Sequence, residues 1–200
     1  MTQSKNKKRT VYLAQLALLL ASVVVLQYIG NFIPVVAGIN LTLIPIVVGA
    51  ALLGPMGGTI LGLACGVMTL MTPMAQGIMG TSPIMALLIC LGKTGAAGFA
   101  AGWLYRLIAK KNKHLAIITA SVAAPIINTG LFVGGCCLLL EYFRTSQDFG
   151  PVPENMGVGG FFVMISAAIA VNFIIEFLVN AIASTAMYQV INVVEKRMKR

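Results

Sequence analysis

The chain has 200 residues, of which 58% are hydrophobic, with 14 Lys and Arg against 5 Asp and Glu and a net charge of +9. Only 10% of the residues are charged, where a soluble globular domain carries about a quarter, so that class is excluded. Between Arg9 and Arg106 the only charged side chain is Lys93, and after the cluster at 110–114 Glu176 is the one charge far from a predicted helix end. An unpaired charge at membrane depth costs about 2.5 to 3.5 kcal/mol on insertion scales and survives mainly for a purpose.

A hydrocarbon core of roughly 30 Å takes about 20 helical residues to cross, so a chain of this length holds about six crossings and no separate soluble domain. The expected fold is an all-α integral membrane protein, a single membrane domain over 1–200 with six transmembrane helices at about 11–28, 41–53, 57–71, 83–108, 115–143 and 159–194. The first apolar run follows Lys5, Lys7, Lys8 and Arg9; it is too long for a signal-peptide core, lacks a small-residue cleavage site, and reads as a span. The second and third helices are short, and Gly54-Pro55-Met56-Gly57-Gly58 between them predicts a tight turn and a hairpin of short helices. Pro45 and Pro125 are expected to open the second and fifth helices locally, because proline removes a backbone donor and clashes with the preceding turn.

Basic residues gather at helix ends: before the first span, at Arg106, Lys110, Lys111 and Lys113, and at Lys196, Arg197, Lys199 and Arg200. The positive-inside rule places all three clusters, and both termini, in the cytoplasm. The loops at 30–40, 72–82 and 144–157 then fall outside, the last carrying Asp148 and Glu154. Such clustering fits a lipid bilayer as partner and not nucleic acid. Cys65, Cys90, Cys136 and Cys137 lie in apolar segments without metal-ligand spacing and read as small core residues.

Small residues recur at helical spacing. Gly58, Gly62 and Gly66 in the third helix and Gly98 and Gly102 in the fourth predict close packing within the chain. Ala17 and Ala21 in the first suit either internal packing or docking against another membrane protein.

Counting 1.5 Å per residue from the predicted outer helix ends puts Lys93 about 15 Å deep, Asn128 about 21 Å, Asn172 about 16 Å and Glu176 about 22 Å. They share one layer, and Asn172, Glu176 and Asn180, four apart, form a polar stripe. Two readings follow. In one, Lys93 and Glu176 neutralise each other and the asparagines crosslink helices, although a buried ion pair is a poor source of stability. In the other, these groups border a polar cavity open to the outside, Lys93 taking an anionic group and the Asn and Glu side chains taking hydroxyls or amides, with Phe132, Trp103, Tyr142 and Phe161 as candidate aromatic walls; Trp103 and Tyr142 also suit the interfacial belt. Enzyme chemistry is not assembled: the one histidine, His114, lies in a basic loop, paired carboxylates share no helix face, and no phosphate-binding GxxxxGK[ST] loop occurs. No catalytic residue, metal or cofactor is expected, and energy for transport would come from a partner.

Taken together, the basic N-terminus before an Ala-rich first helix, Leu41-Thr42-Leu43-Ile44-Pro45 leading to Gly54-Pro55-Met56-Gly57-Gly58, Ala124-Pro125-Ile126-Ile127-Asn128-Thr129-Gly130, and the run from Asn172 to Asn180 resemble the substrate-binding S component of energy-coupling factor (ECF) vitamin transporters. The resemblance spans essentially the whole chain. It implies a six-helix membrane fold that binds one micronutrient near its outer face, associates with a transmembrane coupling protein and two ABC-type ATPases, and topples in the cell membrane to deliver its ligand. The AxxxA motif of the family matches Ala17 and Ala21, with Ala14 a turn earlier, and implies that this face meets the coupling protein. Family sites draw on the first outer loop and on helices four to six, which here implies Asn40, Lys93, Asn128, Thr129, Asn172 and Glu176 as substrate-binding residues. Pantothenate is the favoured ligand; riboflavin, folate, a pyrimidine precursor of thiamin and a queuosine precursor stay open. The competing expectation is a membrane scaffold or assembly protein with a structural Lys93–Glu176 pair, and a membrane-embedded enzyme comes third.

Overall fold

The computed structural model describes residues 2–31, 40–146 and 150–198, without the side chains of 2–8, 31 and 198. Its elements are α1 (Thr2–Asn31), α2 (Leu43–Leu53), α3 (Pro55–Thr69), α4 (Pro73–Thr81), α5 (Pro83–Ala109), α6 (Lys113–Cys137), α7 (Leu140–Ser146) and α8 (Val158–Met198). No strand occurs among the described residues. Most of the expected outer loop at 30–40, the side chains of Lys5, Lys7 and Lys8, and Asp148, Lys199 and Arg200 lie outside the described residues.

Among the described residues four helices, α1, α5, α6 and α8, are long and apolar enough to cross a membrane, and α3 with α4, bent by 84°, makes a fifth if the pair is one span. α8 runs 41 residues because its sequence contains no glycine or proline after Gly160. α2, with 11 residues, rises only about 16 Å. It packs against α1, α3, α5, α6 and α8 and buries Leu43 and every residue from Pro45 to Ala50. Such an interior helix is surrounded by protein, and its length does not have to match the bilayer.

Several expected boundaries are corrected. The segment 72–82, read as a loop, contains the helix α4. Thr72 is extended (φ −74°, ψ 148°) and Pro73 takes the first turn, where its missing N–H costs nothing; Ala75 and Ile78, three apart, turn inward. The expected helix 115–143 is interrupted after Cys137: Leu139 N donates to Cys136 O at 2.9 Å, a tightened last turn, and α7 restarts at Leu140, with Leu140 and Phe143 in a core with Phe161. Pro45 does not open α2, since it stands in the first turn, where no intrahelical donor is needed. Pro125 sits inside α6, which continues through it as helix.

The predicted packing of α3 on α5 is present and nearly backbone to backbone. A Cβ on Gly58 would lie 2.4 Å from Gly98 O, one on Gly62 2.2 Å from Thr94 O, and one on Gly66 2.6 Å from Cys90 O. The hairpin turns at Gly54, whose φ of +86° disfavours any residue with a side chain. One core gathers Val23, Leu43 to Ala50, Leu61, Ala97, Ala101, Ala120 and Ile191, and a second gathers Ile78, Ala86, Val133, Phe143, Phe161 and Ile165. At the basic end Lys113 of α6 pairs with Glu195 of α8, and the His114 and Tyr188 rings meet edge to face at 4.9 Å.

Candidate functional site

A cavity of about 410 Å³ lies among α1, α3, α4, α5, α6 and α8, toward the end of the bundle remote from the Lys113–Glu195 pair. Its size falls within the range of small-molecule sites, about 300 to 1,000 Å³. Asn40, Lys93, Asn128, Thr129, Asn172 and Glu176, the six residues singled out above, all line it. Each arrives from a different register: Asn40 from the turn before α2, Lys93 from the middle of α5, Asn128 and Thr129 from the turn of α6 just after Pro125, Asn172 and Glu176 from one face of α8.

The expected neutralising pair is not formed. Among the described residues the ion pairs are Lys113–Glu195 and Glu141–Arg144. The ammonium of Lys93 lies 4.5 Å from the centre of the Phe132 ring, an attraction between a cation and the negative face of the ring. Glu176, only 6% exposed, accepts at Oε1 from the backbone N–H of Asn40 at 2.8 Å. Its Oε2, and Oδ1 of the buried Asn128, have no hydrogen-bond partner among the described residues. The wall thus carries one cation on an aromatic face, and two of its residues, Asn128 and Glu176, hold a buried acceptor with no donor among the described residues.

Asn180, the third member of the stripe, is 1% exposed, donates from Nδ2 to Glu176 O at 2.9 Å, and lies outside the cavity wall. The candidate aromatic walls divide. Phe132 lines the cavity, whereas Trp103 is 53% exposed on α5, and Phe161 and Tyr142 belong to the second core. Phe173, beside Asn172, supplies the other aromatic surface. Cys65, Cys90 and Cys136 are buried and none of the four cysteines is in a disulfide among the described residues; no group of metal-ligating residues occurs among the described residues. Cys90 lines the cavity as well.

Sequence reasoning missed Gln27, Thr69 and the whole contribution of α4, which closes one side with Thr72, Pro73 and Met74. Gln27 was detectable as the lone amide in the second half of the expected span 11–28. The α4 residues were not, since glycine and proline at that density read as loop.

Ala14, Ala17 and Ala21 are exposed on α1, all outside the cavity. Leu13, Leu18, Val24 and Val25 are also at least 48% exposed, so α1 offers a broad apolar surface with a small-residue strip.

Residues 11–193 match the family model described as ECF transporter, substrate-specific component. A comparison with curated proteins returns no match.

Proposed function

We infer, since the chain belongs to the substrate-specific components of ECF transporters, that the cavity beside Lys93 and Glu176 is the place where it takes up its ligand. Membership makes it a multi-pass cell-membrane protein and a micronutrient-binding subunit that works with an ECF module. ECF S components bind substrate and are not enzymes. The finer proposal is that the chain captures a small water-soluble vitamin from outside, pantothenate first, and that ATP hydrolysis in two partner ATPases drives import through a transmembrane coupling protein. The basic clusters support cytoplasmic termini, and in that orientation the cavity opens from the outer half of the bundle.

The observation that carries this reading is that Lys93 and Glu176 line one cavity without pairing. Keeping two charges apart within an apolar bundle is expensive, and a ligand with a carboxylate for Lys93 and hydroxyl or amide donors for Glu176 and Asn128 would satisfy both. Pantothenate carries these groups. The few aromatic side chains in the wall, Phe132 and Phe173, favour it over a large flat ring, which gains from stacking. The scaffold alternative draws on an ion pair that is not formed and has no observation in its favour. The test is mass spectrometry of small molecules that copurify, followed by thermal shift in detergent with pantothenate, riboflavin, folate, the thiamin pyrimidine precursor and the queuosine precursor. A stabilising shift with pantothenate is expected; no shift with any of the five would remove the binding assignment.

A further inference from the structure

Beside the cavity a chain of hydrogen bonds crosses from α3 through the turn before α2 to α8. The Cys65 Sγ of α3 lies 3.5 Å from Gln27 Oε1 of α1 and 2.9 Å from Thr42 Oγ1. The Thr42 hydroxyl donates to Asn40 Oδ1, and the Asn40 backbone N–H donates to Glu176 Oε1 at 2.8 Å. Thr42 and Cys65 are both 0% exposed, and neither lines the cavity.

The direction of the chain follows from proton counting. A hydroxyl has one proton, and that of Thr42 is committed to Asn40 Oδ1, which can only accept. At the Thr42–Cys65 contact the thiol therefore donates, and since its one proton goes to Thr42 Oγ1, the nearer oxygen at 2.9 Å, Gln27 Oε1 at 3.5 Å is a contact and not a further link. The effect of the chain is to hold the turn before α2 in one orientation, with the N–H of Asn40 aimed at α8. A glutamate side chain has several staggered rotamers, and pinning Oε1 selects among them. Glu176 lines the cavity, and its second oxygen, Oε2, is buried and without a partner among the described residues. A buried acceptor left open is costly until a donor arrives.

We propose that Thr42 and Cys65 are positioning residues that lock the Asn40 N–H onto Glu176 Oε1, leaving Oε2 as the carboxylate oxygen that takes an O–H or N–H donor of the ligand. The proposal rests on the cavity being the ligand site, and deepens that reading by naming the donor end of the ligand and the groups that set its acceptor.

Thr42→Val and Thr42→Ser in the full chain separate positioning from packing. Valine keeps the shape and loses the hydroxyl; serine keeps the hydroxyl and loses a methyl. Two readouts are taken in detergent: hydrogen exchange of the Asn40 backbone amide without ligand, and affinity for pantothenate and for its analogue lacking both hydroxyl groups. Thr42→Val is expected to retain the thermal transition, to exchange the Asn40 amide faster, and to weaken pantothenate roughly tenfold, the worth of one hydrogen bond; the loss is smaller for the analogue, because a donor and its acceptor are coupled. Thr42→Ser stays near wild type. Cys65→Ser is expected to preserve both readouts and Cys65→Ala to lose part of each, which serves if a Thr42 variant does not fold. The reverse order, serine damaging and valine silent, overturns the proposal, as does faster exchange with no change in affinity or equal losses for the two ligands. If wild type ignores pantothenate, the pantothenate assignment fails, while unchanged Asn40 exchange in Thr42→Val still overturns the positioning role and faster exchange supports it.

Discussion

Lys93 reaches the face of Phe132, 4.5 Å from ammonium to ring centre, and forms no ion pair with Glu176, which lines the same cavity. A cation on an aromatic face is held by the ring quadrupole without a counter-charge, and an ammonium has three donors, not all of which one ring face can engage. Lys93→Met, which keeps much of the stem and removes the charge, is expected to weaken an anionic vitamin by roughly ten- to a hundredfold, the range for a hydrogen bond to a charged group. Titration calorimetry of the purified chain measures it. Affinity equal to wild type would show that the ligand anion does not use Lys93.

Exchanging the charges, Lys93→Glu with Glu176→Lys, discriminates a binding site from a structural pair. The net charge is unchanged and a neutralising pair would survive, but an anion arriving at position 93 would meet a carboxylate. Thermal unfolding and ligand binding should be measured on the same preparation, with folding kept and binding lost as the expected outcome.

The roles of the amide and the aromatic residues are separable. Asn128→Ala removes a buried acceptor that has no partner among the described residues and is expected to reduce ligand affinity with little change in the unfolding temperature. Trp103→Ala, at a position 53% exposed and outside the cavity, should leave affinity unchanged. Comparable losses in both variants would indicate a general effect on the fold.

Two glycines of the same bundle should respond oppositely to added bulk. Gly62→Ala drives a methyl to 2.2 Å from Thr94 O, whereas Gly92→Ala meets nothing within 4 Å. Overpacking of a tight contact costs about 1 to 3 kcal/mol, so the unfolding temperature in detergent should fall clearly for the first and hardly for the second. Equal behaviour would contradict the close approach of α3 to α5.

Ala17→Trp tests the exposed strip on α1. Ala14, Ala17 and Ala21 are all exposed and outside the cavity, so a bulky side chain should abolish copurification with the coupling protein and leave vitamin binding intact. Copurification at the wild-type level would remove this face from the interface.

What was legible in the sequence was legible for reasons of chemistry rather than of shape. Uninterrupted apolar runs mark the long helices because lipid requires every backbone group to be bonded within its own segment. Lys93, Glu176 and the three asparagines stood out because polar side chains are rare at such depth, and the Gly58-Gly62-Gly66 row announced a close helix contact because little else explains three glycines in a helix. These signals are local or periodic, and a single chain displays them without its partners.

The tertiary structure decided the rest. That Lys93 meets Phe132 and Glu176 meets the Asn40 N–H, rather than the two charges meeting each other, depends on the rotation of α5, α6 and α8 about their axes and on where the turn before α2 comes to lie. Depth along a helix is proportional to residue count and can be read from sequence; azimuth about its axis is set by packing against neighbours. The same holds for α4, whose glycines and prolines look like loop until Ala75 and Ile78 find a core to enter. The sequence by itself determined which polar groups stand along apolar helices and how far from the predicted helix ends; only the packing of the helices decided which of them touch and which have no partner among the described residues.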